Sequence, residues 1–227
     1  MYSLVESIQI LDLVLLTCMK QWVPRIYPPN FLKEDFSIMN IEPIFSSFLV
    51  SGEIDVDHQK IYEWCKTQSN THATHLRFDE PELEDFYSKL KSTFDGLHRE
   101  MGLVTTYYQK LERGWLNMNP NDSGFTIPHA HCDSTFTSVY YPYIEGHVGN
   151  LELLSPNPMV QWVFKPEQDP KRNMVQDLNI FNMSRIRIPP KTGLLVIFPS
   201  WIQHLALPTK TGIRASISVD SLSTSIV

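Results

Sequence analysis

The chain has 227 residues, which is enough for one domain with a sizeable hydrophobic core. Its formal net charge of −6 argues against a broad surface for nucleic acid or for an anionic membrane. The three cysteines, Cys18, Cys65 and Cys132, form neither a CxxC pair nor an even disulfide framework. This usage is typical of a reducing compartment, and we therefore expect a cytoplasmic protein.

The first 38 residues differ in character from those that follow. Their most apolar run, residues 4–18, contains acidic residues and is too short to span a membrane. Lys33-Glu34-Asp35 can be encoded by a purine-rich ribosome-binding sequence of bacterial type, shortly before Met39. We predict that translation starts at Met39, that residues 1–38 are an N-terminal extension not native to the protein, and that residues 39–227 form a single domain.

Residues 39–106 carry the helical signals and are predicted to support one face of a sheet. Asp57 is a suitable N-cap for a short helix. A longer helix is predicted from near Pro81, because apolar residues recur at spacings of three and four and Gly102 follows the last of them. The recurring residues are Leu83, Phe86, Tyr87, Leu90, Phe94, Leu97 and Met101.

From residue 107 to residue 227 the sequence predicts a β core. Alternating apolar runs, separated by Gly, Pro, Asn and Asp turns, predict strands at 107–119, 129–143, 149–155, 180–188, 194–200, 204–208 and 213–220. This pattern predicts a mainly β fold with flanking helices and a double-stranded β-helix (jelly-roll) core. Residues 157–178 lack periodicity, and they are predicted to form either a lid over a site or an ordered surface insertion.

Three residues of this β core form a candidate metal site. His131 and Asp133 are two positions apart, and in a strand such side chains leave the same face roughly 6.5–7 Å apart. His204, in another predicted strand, can supply a third ligand. Two histidines and one carboxylate on one face leave other coordination positions open, which suits a non-haem iron(II) oxygenase.

Arg214 and Ser216 form a second strand-spaced pair, ten residues after His204. Arg214 lies in an apolar alternation, where a guanidinium needs a partner to remain charged. Its rigid fork and the nearby hydroxyl make a good receptor for a carboxylate. A bound dicarboxylate explains the pair better than a structural carboxylate such as Asp220.

These residues in this order resemble the 2-oxoglutarate- and iron(II)-dependent oxygenases. The resemblance rests on His131-x-Asp133, His204 and Arg214-x-Ser216. Their flanks, from His129-x-His131 into Thr137-Ser138-Val139-Tyr140-Tyr141 and then Phe198 to His204, are similar to a branch of small oxygenases common in bacteria and their phages. The resemblance covers roughly Trp115 to Asp220.

The resemblance implies a dioxygenase that hydroxylates its substrate and releases succinate and carbon dioxide. It implies iron(II) and 2-oxoglutarate as cofactors, dioxygen as cosubstrate, and a small molecule or a protein side chain as substrate. Arg214 and Ser216 would hold the far carboxylate of 2-oxoglutarate. Tyr140 and Tyr141 point to opposite faces of their strand, and the sequence does not settle which of them faces the cavity; Tyr141 is our choice for binding the cosubstrate. Asn117 could orient a ligand or merely end a strand. The alternative is a cupin-like metal-binding module or a viral structural jelly roll without turnover.

The sequence leaves two ligand sets open. His129, His131 and Asp133 share one face of a regular strand, but positions 129 and 133 would be roughly 13 Å apart. We expect His131, Asp133 and His204 to bind the metal, because the carboxylate partly neutralises iron(II). The alternative replaces Asp133 with His129, since His-x-His is the recurrent pair in the resembling branch.

Overall fold

The computed structural model describes residues 47–68, 74–119, 124–157, 178–179 and 181–225. These belong to two compact units, of which the larger holds the described residues of 47–157 and 184–225. In the smaller unit, the backbone N–H groups of Asn182 and Met183 donate to the Asn179 carbonyl at 3.2 and 3.0 Å and form a turn. The predicted extension 1–38, the start at Met39 and nearly all of 157–178 lie outside the described residues, so these remain predictions.

Two helices precede the β core, where the sequence predicts them. Helix α1 spans His58–Thr67 and helix α2 spans Glu84–Glu100, after a 3₁₀ turn at Pro81–Leu83. Asp57 caps α1, because its side chain accepts a hydrogen bond from the Lys60 backbone N–H at 2.9 Å. The apolar stripe of α2 is buried at Phe86, Tyr87, Leu90 and Phe94. No helix in the described ranges is long and apolar enough to cross a membrane.

The larger sheet contains six of the described strands, all antiparallel to their neighbours. Their spatial order is β1 (Val50–Glu53), β7 (Leu194–Pro199), β4 (Phe136–His147), β9 (Thr211–Ser225), β3 (Tyr107–Asn119) and β2 (Thr74–His75). Alternation along β9 places Ala215, Ile217 and Val219 on one face of the sheet. These residues pack with α1 and α2 in the first hydrophobic core.

The smaller sheet has three of the described strands: β6 (Arg185–Ile188), β5 (Leu151–Leu154) and β8 (His204–Ala206), in that order. Leu151, Leu153 and Ile188 of this sheet pack against Val196 and Phe198 of the larger one and form a second hydrophobic core. Two antiparallel sheets packed face to face, with helices outside the larger sheet, confirm the predicted jelly roll.

One predicted strand begins later than the sequence indicated. The alternation predicted a strand over 129–143, but β4 starts at Phe136, and Cys132 and Asp133 lie in a turn. His129 makes only an isolated antiparallel bridge to His204, with reciprocal backbone hydrogen bonds of 3.0 and 2.9 Å. The strand spacing assumed for residues 131 and 133 therefore does not apply.

Candidate metal centre

Three histidines converge where the chain before β4 meets β8. His129, His131 and His204 each present one ring nitrogen, and these atoms lie within 4.8 Å of one another. Among the residues that the structure describes, these three histidines are the one cluster of potential metal ligands, counting histidine, cysteine, aspartate and glutamate side chains. The backbone bridge between residues 129 and 204 fixes the distance between two of the three rings.

Hydrogen bonds at the opposite ring nitrogens define which atoms face the centre. The Nδ1 atom of His129 lies 2.8 Å from the Ile127 carbonyl, and that of His204 lies 3.0 Å from the Ile202 carbonyl. The Nδ1 atom of His131 lies 2.8 Å from both carboxylate oxygens of Asp220. Each Nδ1 must therefore carry the proton and donate it, which leaves three Nε2 lone pairs for an ion. This donor set fits iron(II).

His204 is kept neutral by its surroundings. Burial lowers the pKa of His204 from 6.5 to about 4, and the nearby His129 and His131 also lower it, whereas the Ile202 carbonyl raises it. The imidazole is therefore neutral at pH 7, which is the form that binds a metal ion.

Asp133 lies outside the histidine cluster. Its carboxylate accepts hydrogen bonds from both terminal nitrogens of Arg113, one of them at 3.0 Å, and its side chain is 70% exposed. Arg113 lowers the pKa of Asp133, so the group is a carboxylate at neutral pH. The Asp133 carboxylate is paired with Arg113 and is not part of the cluster. The geometry thus favours the ligand set that contains His129.

Asp220 is the carboxylate that contacts the cluster. It is fully buried on β9 and accepts hydrogen bonds from four side chains. These are His131 Nδ1 at 2.8 Å, the Thr137 hydroxyl at 2.8 Å, the Ser134 hydroxyl at 3.3 Å and Arg113 Nη2 at 3.3 Å. The sequence suggested Asp220 only as a partner for Arg214, and the structure pairs it with Arg113 and His131 instead. Because residues 214, 216, 218 and 220 alternate on one strand, the face of Asp220 could have been read from the sequence.

Arg214 is buried, with 3% of its surface exposed, and donates to backbone carbonyls. Its Nη1 donates to Gly149 and Leu207 at 2.9 and 2.7 Å, and its Nη2 donates to Gly124. Nη2 also lies 3.4 Å from Asn119 Oδ1. Burial lowers the pKa of the guanidinium below its ordinary value. None of these partners is a carboxylate, so an anion in the adjacent space would meet a cation without a counter-ion among them.

A cavity of about 730 Å³ connects the cluster with Arg214. It lies between the two sheets and is lined by residues from β3, β4, β5, β8, β9 and the segment before β4. The predicted residues Asn117, Tyr141, Arg214 and Ser216 all line it, as do His129, His131 and His204. The remaining residues of its lining are Trp115, Asn119, Gly124, Phe125, Thr126, Thr137, Val139, Leu151, Ala206 and Ser218.

The two adjacent tyrosines of β4 face opposite sides, as alternation predicts. Tyr140 packs on Phe86 of α2 in the first hydrophobic core, with ring centroids 4.7 Å apart. Tyr141 faces the cavity and is buried, which raises the pKa of its hydroxyl to about 12. It can therefore donate a hydrogen bond into the cavity at neutral pH.

Residues 113–220 match the family model described as "Putative 2OG-Fe(II) oxygenase". This interval contains the three histidines, Arg214 and Ser216. Comparison with curated proteins gives no match.

Solved structures share the fold at low sequence identity. A prolyl-4-hydroxylase of Pseudomonas putida is 12% identical with a TM-score of 0.55, over 78% of this chain and 93% of that chain. An oxidoreductase of the 2OG-Fe(II) oxygenase family from Burkholderia pseudomallei is 11% identical with a TM-score of 0.52, over 77% and 84%. The epimerase SnoN in complex with Fe3+, alpha-ketoglutarate and nogalamycin RO is 10% identical with a TM-score of 0.55, over 79% and 81%.

Proposed function

We propose that this chain, whose residues 113–220 match the family model of the 2-oxoglutarate- and iron(II)-dependent oxygenases, hydroxylates a small molecule or a protein side chain. Dioxygen and 2-oxoglutarate are consumed, and succinate and carbon dioxide are released. The observation that carries the proposal is that three convergent histidine nitrogens and a buried arginine line the same cavity.

Iron(II) is held by His129, His131 and His204 in this proposal. The three Nδ1–H groups are already hydrogen-bonded, so the rings are oriented before the ion binds. The ion, when bound, supplies the activation of dioxygen and the oxidative decarboxylation of 2-oxoglutarate. Three protein ligands leave positions for both molecules, as catalytic metal sites require.

Arg214 and Ser216 receive the far carboxylate of 2-oxoglutarate. Both line the cavity from one face of β9, and Arg214 is fixed by the carbonyls of Gly149 and Leu207. Tyr141 and Asn117 face the same space and offer hydrogen-bond donors to the cosubstrate.

Metal titration of two variants tests the ligand assignment. We expect His129→Ala to lose iron(II) and Asp133→Ala to retain it, because only the histidine lies in the cluster. The ligand set with Asp133 requires the reverse result. His147→Ala, which removes an exposed histidine at the end of β4, is the matched control and should bind the ion like the parent.

Succinate formation tests the activity itself. The parent protein, loaded anaerobically with iron(II) and then given 2-oxoglutarate and air, should release succinate slowly without a substrate and faster when a substrate is added. His204→Ala should release none, and His147→Ala should match the parent. Iron uptake by the parent without any succinate would instead support the alternative of a metal-binding module without turnover.

A further inference from the structure

The three-histidine site brings no negative charge of its own to a divalent ion, and one buried carboxylate lies directly behind it. Asp220 places both oxygens 2.8 Å from Nδ1 of His131, on the side of the ring opposite to Nε2. We propose that Asp220 is a positioning residue that supplies the negative charge of the metal site through His131. This inference rests on the proposed three-histidine site and adds a role that the ligand set does not contain.

The charges around Asp220 leave one negative charge for the histidine. Arg113 carries one positive charge, and Asp133 and Asp220 carry one negative charge each, so the three groups sum to −1. Arg113 contacts Asp133 with two nitrogens and reaches Asp220 only at 3.3 Å. The exposed Asp133 is therefore the main counter-ion of Arg113, and Asp220 is free to interact most strongly with His131.

The neighbours of Asp220 hold its oxygens toward the imidazole. The Thr137 hydroxyl donates to Oδ1 at 2.8 Å, and the Ser134 hydroxyl lies 3.3 Å from Oδ2. Thr137 and Asp220 are Cα partners in the β4–β9 pairing, so the sheet itself fixes this contact. A carboxylate hydrogen-bonded to the outer nitrogen of a ligating histidine makes the inner nitrogen a stronger donor and fixes the tautomer.

The test is anaerobic titration with cobalt(II), followed by calorimetry and by the visible absorption of the bound ion. We expect Asp220→Asn to bind cobalt(II) about 10- to 100-fold more weakly than the parent and to shift the absorption bands. Asp133→Asn should weaken cobalt(II) binding no more than about threefold, because Asp133 is exposed and has no hydrogen bond to His131, and its loss only lets Arg113 contact Asp220 more closely. Glu152→Gln, which removes a buried carboxylate that accepts hydrogen bonds from Arg185 and Arg187 on the smaller sheet, should leave the affinity unchanged.

A merely structural role for Asp220 gives a different result. Asp220→Asn would then unfold at lower urea concentration but bind cobalt(II) like the parent, and that outcome overturns the proposal.

A second variant covers the case in which Asp220→Asn does not fold. Thr137→Val keeps the carboxylate and removes its hydroxyl donor, and it should weaken cobalt(II) binding several-fold; an unchanged affinity overturns the proposal. Failure of the proposed function is a different observation: the parent would not bind the ion, or His129→Ala would still bind it, regardless of the result for Asp220→Asn.

Discussion

His204 is neutral in the folded protein and protonated at moderately acidic pH once unfolded. Its folded pKa is about 4 and its ordinary pKa is 6.5, so between these values the unfolded chain binds more protons. The stability from this residue is present above pH 6.5 and is lost as the pH falls toward 4. We expect the metal-free protein to lose about 2 kcal/mol of unfolding free energy between pH 7.5 and 5 through this group.

Urea unfolding of the metal-free protein at the two pH values measures this loss. His204→Asn removes the titrating ring, so its unfolding free energy should depend less steeply on pH than that of the parent. An identical pH dependence in parent and variant would assign the acid sensitivity to other residues.

Arg214 is the second residue whose role can be isolated. Arg214→Ala should weaken 2-oxoglutarate binding roughly 10- to 100-fold, because a charge-assisted hydrogen bond contributes about 1.5–3 kcal/mol. Cobalt(II) binding should be retained, since Arg214 contacts none of the three histidines in the described hydrogen bonds. Calorimetry with cobalt(II) bound measures both affinities.

Arg214→Lys serves as the comparison for charge. It keeps the charge but loses the two-nitrogen fork, so its affinity for 2-oxoglutarate should lie between those of the parent and the alanine variant. If Arg214→Ala binds 2-oxoglutarate as tightly as the parent, the carboxylate receptor has been assigned to the wrong residue.

Among the secondary-structure elements, the helices and most strands could be predicted from the sequence because they depend on residues close to one another in the chain. Asp57 caps α1 three residues from its hydrogen-bond partner, and the apolar spacing of α2 reports a single buried stripe. The alternation of β9 placed Arg214 and Ser216 on one face, and both line the cavity.

The segment before β4 could not be predicted in the same way. Asp133 and Ser134 are common turn residues, but the alternation that continues through Cys132 favoured an unbroken strand here. The partner of Asp133 is Arg113, 20 residues earlier and on another strand, so the direction of this side chain depends on tertiary structure. The sequence favoured Asp133 as a ligand because a carboxylate partly neutralises iron(II). In the structure the carboxylate that contacts His131 is instead Asp220, on β9.

At the scale of the whole molecule, the first described residue is Ser47, and the domain start remains a prediction. A chain that begins at Met39 should fold and bind cobalt(II) with the affinity of the full chain, because β1 begins only at Val50. Circular dichroism and cobalt(II) titration of the two forms provide the comparison. A shortened chain that aggregates or fails to bind the ion would show that residues before Met39 belong to the domain.

The hydrogen-bonded histidine rings also bear on which metal the protein carries. Their Nδ1–H groups donate to two carbonyls and a carboxylate, so the three Nε2 atoms are already oriented to bind any borderline divalent ion. Nitrogen sites bind nickel and copper more tightly than iron(II), following the Irving–Williams order. Mismetallation is therefore the expected hazard of this centre, and the supply of ions during folding, rather than selection by the site, decides how many molecules can react with dioxygen.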